Sequence, residues 1–137
     1  MSNSPLPMNR FEVGQKAATE IDAAGLFVTP GFVNIHSHAT PEGLQRAVNM
    51  LAQGVTTEVL NADGSGGTDL DAQLHRLRIA GLAVNVGANI GFNSVWASVM
   101  GPADKRPTPG DIEEMREMIR RGLEQGAYGV SAGLDYK

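Results

Sequence analysis

Cysteine is absent from this chain of 137 residues, which excludes a disulfide framework and any thiolate metal site. A metal, if one binds, must sit on His, Asp, Glu or Lys. No run approaches the roughly 20 apolar residues that a membrane-spanning helix needs, and Met1 to Arg10 lack the apolar stretch of a secretory signal. A cytoplasmic protein without a membrane partner is therefore expected. Positive charge is also scarce: 11 Lys and Arg stand against 15 Asp and Glu, for a net charge of -4 and a pI near 5.3. The charges are interspersed and form no basic stripe that could follow a phosphate backbone, so nucleic acid is excluded as a partner. What is present, 42% hydrophobic and 19% charged residues, suits a globular domain with one core.

The first ten residues are polar and carry two prolines, which reads as an irregular leader. The stretch from Phe11 to Val28 suggests one or two small strands around a turn at Gly25. After the Pro30-Gly31 break, apolar runs alternate with amphipathic stretches. Phe32 to Ile35 reads as a buried strand, and Leu44, Ala47, Val48 and Leu51 follow at helical spacing until Gly54. Thr57 to Leu60 is a second strand, Leu70, Leu74 and Leu77 mark a helix closed by Gly81, and Leu82 to Val86 is a third strand. Thr108, Pro109 and Asp111 supply the cap, first position and capping box of a last helix, with Ile112, Met115, Ile119 and Leu123 on one face and a stop at Gly126. Tyr128 to Ser131 is a fourth strand.

Consecutive parallel strands need a helical crossover, so this alternation predicts a parallel α/β architecture. Pattern alone leaves a doubly wound sheet and a barrel both open. A whole (β/α)8 barrel takes about 250 residues, so the barrel alternative makes this chain about half of one.

Chemistry-bearing residues gather at the expected strand ends. His36 and His38 are two residues apart after the first strand, so their imidazoles project to the same side in a chelating arrangement. Neutral imidazole is the commonest protein ligand for zinc, whereas an isolated His-x-His also serves simple hydrogen bonding. Asp63 closes the second strand at the same face and is either a metal ligand or a turn residue, since Asp-Gly is ordinary turn chemistry. The glycine-rich run Gly64 to Gly67 matches no phosphate-binding fingerprint and reads as a flexible connection. His75 sits among arginines within a helix, as a solvated surface residue does. Phe92, Trp96 and Met100 fall in a long Gly- and Asn-rich connection, suited to an active-site loop or to loop anchoring.

Three segments together carry a family resemblance. Val28-Thr29-Pro30-Gly31-Phe32-Val33-Asn34-Ile35-His36-Ser37-His38 resembles the first-strand motif of the amidohydrolase superfamily. Gly54 to Gly64, and then Val99 to Gly101 with Gly126 to Tyr136, resemble the second-strand and fourth-strand regions of its D-aminoacylase (N-acyl-D-amino-acid deacylase) family. The resemblance spans residues 20 to 137. It departs from the family pattern at Asp63, where many members carry a cysteine ligand, and at Thr40, where many carry an Asp.

The resemblance implies the first half of a (β/α)8 TIM-type barrel, about four β/α units over residues 31–137, preceded by a leader and a remnant of a small β-sandwich over residues 1–30. It implies a zinc-dependent hydrolase of linear amide C–N bonds, with one or two zinc ions on His36, His38 and Asp63, Tyr136 helping to hold the carboxylate of a small N-acyl amino acid, and no catalytic residue in this chain. The general-base Asp and two further histidines of the family lie on later strands, so the chain is expected to be an amino-terminal piece, an incomplete enzyme. Two alternatives remain. One is an amidohydrolase of cyclic amides, like dihydroorotases and hydantoinases, whose bridging lysine fits poorly with Lys137, which lies beyond the fourth strand. The other is a non-catalytic fragment that self-associates through its unpaired strand edges.

Overall fold

The computed structural model describes residues 18–102 and 105–135. Three short parallel strands organise the first part of the chain: β1 (Phe32–Asn34), β2 (Val55–Leu60) and β3 (Asn85–Ala88), hydrogen-bonded in that order. Asn34 stands opposite Glu58, and Leu60 opposite Ala88. Helices α1 (Pro41–Arg46) and α2 (Val48–Leu51) form the crossover from β1 to β2, and α3 (Leu70–Ala80) that from β2 to β3. One residue beyond β3 the chain resumes as β4 (Ile90–Gly91), which pairs in parallel with β5 (Val130–Ser131). Between them run α4 (Phe92–Met100) and α5 (Pro109–Glu124). Tyr128 N–H donates to the Ala88 carbonyl at 3.0 Å and Ile90 N–H to the Gly129 carbonyl at 2.9 Å, so the approach to β5 lies beside the β3–β4 segment. The architecture is mixed α/β with parallel pairing, and no closed barrel forms among the described residues.

Several sequence expectations shift. The first helix breaks at Ala47, which takes a left-handed conformation (φ 41°) while its buried methyl joins the core. The third strand begins at Asn85 rather than Leu82, because Ala83 N–H is engaged by the Leu44 carbonyl and Val84 packs under the helices. The expected connection around Phe92, Trp96 and Met100 is helix α4: their spacing of four places them along one helix, with Met100 buried and the Phe92 and Trp96 rings 6.1 Å apart. Residues 18–31 make the Gly25 turn but no strand, since among the described residues no strand pairs with them; residues 11–17 of the expected strand region lie outside the described residues. On α5 the inward stripe is Met115 and Gly122, buried, with Met118 and Ile119 partly buried beside them and Ile112 and Leu123 left exposed at its margins.

Helix α5 opens as expected. Asp111 N–H donates to Thr108 Oγ1 at 3.2 Å and Thr108 N–H donates back to Asp111 Oδ2 at 2.8 Å, a reciprocal capping box. Leu44, Ala47, Leu60, Leu70, Leu77, Val84 and Ala88 form one core between sheet and helices, and Ile90, Val95 and Met115 form a second, with Ala127 packed against both. The other face of the sheet is open. Val33, Ile35, Thr57, Val59, Asn89 and Tyr128 line a hollow of about 590 Å³, and Ile35 and Tyr128 are 76% and 72% exposed.

Candidate metal centre

Strand period places alternate residues on opposite faces, and the segment after β1 uses this twice. Ser37 N–H donates to the Val59 carbonyl at 3.1 Å, which docks the segment against β2, and the Ser37 side chain is buried. His36 and His38 flank it and project outward together, their rings 5.2 Å apart and edge to face. Asp63 arrives from the turn that follows β2. His38 Nε2 lies 3.0 Å from Asp63 Oδ2, His36 Nε2 lies 3.3 Å from the same oxygen, and the two Nε2 atoms are 3.3 Å apart. No other group of three such side chains lies close enough to share an ion among the described residues.

These separations can be weighed against coordination geometry. Ligand atoms at about 2.0–2.1 Å from a tetrahedral zinc ion stand about 3.3 Å from one another. The spacing of the three atoms, 3.0–3.3 Å, is close to that of one triangular face of such a site. Two imidazoles and one carboxylate also suit the borderline chemistry of zinc and neighbouring first-row divalent ions. The residues fit a metal, and the site is open: both histidine side chains are 59% exposed, which leaves room for further ligands or substrate.

Asp63 is held by a clamped turn. Asn61 (φ 62°) and Asp63 (φ 55°) both take the left-handed conformation, which Asn and Asp tolerate best among residues with a Cβ. The Asn61 side chain is buried and exchanges two hydrogen bonds with Gln73, at 2.9 and 2.8 Å, and donates to the Asn89 carbonyl at 2.8 Å. Ser131 Oγ donates to the Asn61 carbonyl at 2.5 Å and accepts from Gly64 N–H at 3.1 Å, bracketing Asp63 from both sides. Gly91 permits the approach of this turn, since a Cβ there would overlap the carbonyl oxygens of Gly64 and Ser65. The glycine-rich run expected to be a loose connection is therefore pinned at its start.

Of the residues singled out from sequence, the structure brings His36, His38 and Asp63 together, and leaves His75 exposed on α3, away from the site. Tyr136 and Lys137 lie outside the described residues. Asn61, Gln73 and Ser131 were not anticipated; the only local signal was an Asn two residues before Asp-Gly.

No family model matches the chain. Among curated proteins it is 29% identical to a D-aminoacylase and 28% identical to an N-acyl-D-aspartate deacylase, both from Alcaligenes xylosoxydans xylosoxydans, over 88% and 85% of its length. Among solved structures, D-aminoacylase superposes with a TM-score of 0.68 at 26% identity over 79% of the chain. The chain is related to the D-aminoacylases. It spans 30% and 28% of the length of those two curated relatives and 28% of the solved D-aminoacylase chain. D-aminoacylase is described as defining a subset of amidohydrolases, and as having a binuclear metal centre in which one metal activates and a second attenuates.

Proposed function

We propose that this chain is the metal-holding part of an N-acyl-D-amino-acid deacylase, a hydrolase of linear amide bonds in small N-acyl amino acids. The observation that carries the proposal is the His36–His38–Asp63 triangle, with donor atoms 3.0–3.3 Å apart, at the carboxyl ends of parallel strands. Active sites of parallel α/β proteins form at those ends. The names of the relatives favour acyl amino acids over cyclic amides.

The proposed architecture is a partial (β/α)8 barrel over residues 31–137, with residues 1–30 as leader and β-sandwich remnant. The open apolar face around Val33, Ile35, Val59 and Tyr128 supports it, because in a barrel that face looks inward onto packed side chains. The same face, if left uncovered, favours self-association. No helix among the described residues is long and apolar enough to cross a membrane.

In the proposed mechanism His36, His38 and Asp63 would hold zinc. Zinc, when bound, lowers the pKa of a water toward about 7 and polarises an amide carbonyl. The atoms that would hold it are the two Nε2 atoms and Asp63 Oδ2, which stand 3.0–3.3 Å apart on an exposed side of the chain. Proton transfer to the leaving amine would require a further acid–base group, which we assign to none of the residues of this chain; carboxylate binding we assign to Tyr136. Purified chain is expected to contain stoichiometric zinc by plasma emission, and the His36→Ala/His38→Ala variant to lack it. Metal-free protein in both would overturn the proposal.

A further inference from the structure

Glu58 is fully enclosed in the middle of β2, on the face that Leu60 also uses to meet the helices. Enclosing a carboxyl group is costly unless it is matched by hydrogen bonds, and this one is matched only in part. Its Oε2 accepts from Asn34 Nδ2 at 2.9 Å, while Oε1 has no partner among the described residues. An apolar residue would occupy this position of a half-covered strand at less cost. The single bond that Glu58 does make leads to the first histidine.

Asn34 ends β1 directly opposite Glu58. Its side-chain oxygen accepts from His36 N–H at 3.2 Å, closing the turn that carries the chain from the strand into the His-x-His segment. An amide has two unlike ends, one that donates and one that accepts. Carboxylate oxygens accept, so only the NH2 end of Asn34 can face Glu58, and the oxygen must then face the His36 N–H. Reversing the amide would set oxygen against oxygen at Glu58 and N–H against N–H at His36. Glu58 thus dictates the one amide orientation that caps the histidine turn. Asn34, His36, Ser37, His38 and Glu58 line the same hollow of about 320 Å³.

We propose that Glu58 is a positioning residue for the metal centre: through the Asn34 amide it sets the turn that aims His36 and His38 at Asp63. The consequence for metal affinity rests on the metal-binding reading above, whereas the orientation of the turn does not.

Three variants test this: Glu58→Leu, Asn34→Asp, and the double variant Asn34→Asp/Glu58→Gln. The first leaves the Asn34 NH2 group without its acceptor, so that nothing fixes which end of the amide faces His36 N–H, and the second places two carboxyl groups face to face. The double variant reverses donor and acceptor, so that the amide introduced at position 58 donates to the carboxylate introduced at position 34. The readouts are hydrogen exchange of the His36 backbone amide by NMR in the metal-free chain, and zinc affinity by competition with a chromophoric chelator.

Both single variants are expected to lose protection at His36 and to bind zinc about 10-fold more weakly, the lower end of what removing a ligand's supporting partner costs. The double variant is expected to recover both. A double variant as impaired as Asn34→Asp, or a Glu58→Leu chain with an unchanged His36 amide and unchanged zinc affinity, overturns the proposal. If His36 protection follows the expected pattern in a chain that binds no zinc, the positioning role stands and the metal-binding reading fails.

Discussion

His38 Nε2 and Asp63 Oδ2 stand 3.0 Å apart although 25 positions separate them in the chain. Two neighbouring strand ends bring them together, and the pairing of β1 with β2 fixes the distance. Asp63→Asn keeps a residue that tolerates the left-handed conformation but removes the anionic ligand. Zinc affinity is expected to fall by more than the roughly 10- to 100-fold lost when only a supporting partner is removed, with little change in thermal midpoint of the metal-free chain. Chelator competition and a melting curve, measured together, check this; equal zinc affinity would remove Asp63 from the ligand set.

Ser131 holds the turn rather than the ion. Ser131→Ala removes the hydroxyl that bridges the Asn61 carbonyl and Gly64 N–H, leaving a buried N–H unpaired at a cost of about 1–3 kcal/mol. A urea melt should show the loss, and zinc affinity should fall with it. Ser131→Thr retains the hydroxyl and should recover part of both.

Gly122 faces Ile90 across the α5–β4 contact, where an added Cβ would lie 2.9 Å from an Ile90 side-chain carbon. Replacing glycine by alanine inside a helix gains up to about 1 kcal/mol of propensity, against about 1–3 kcal/mol for overpacking a core. Ile90 is fully buried, with little room to yield, so Gly122→Ala is expected to destabilise. Chemical denaturation that shows a more stable variant would contradict this packing.

The capping box of α5 sets a pH dependence. Hydrogen bonds from the Thr108 backbone N–H and then from its hydroxyl hold the Asp111 carboxyl below its ordinary value. A carboxyl lowered in the folded state contributes stability that is complete above its ordinary value and is lost as the pH falls through the lowered one. The first turn of α5 is therefore expected to loosen below about pH 4, seen as faster amide exchange at Ile112 once intrinsic rates are corrected. Asp111→Asn should flatten that acid limb, and Thr108→Ala should cost about 1 kcal/mol at neutral pH.

Local signals in the sequence survived where they were self-contained. The cap of α5 needs only Thr108, Pro109 and Asp111, which are neighbours, and it forms as read. Spacing by two placed His36 and His38 on one side, because strand period is a property of the backbone. The four-residue spacing of Phe92, Trp96 and Met100 is equally present, but the surrounding Gly and Asn residues obscure it, so the sequence points to a loop where α4 forms. The break at Ala47 carried no signal, since alanine is a strong helix former and only its place in the core calls for a left-handed residue there.

What the sequence by itself determined were the elements whose causes lie within a few residues: alternating strands and helices, the capped last helix, the paired histidines, and the exclusion of thiolate ligands. Only the tertiary structure decided which distant groups meet. Asp63, already a candidate from its place after the second strand, meets the two histidines because β1 and β2 align their ends, and Ser131 reaches back to clamp its turn across 70 positions of chain. Glu58 reads as one polar residue in a strand until its neighbour is known. Its role arises from standing opposite Asn34, a contact set by register, and register depends on how whole strands pack rather than on any short run of residues.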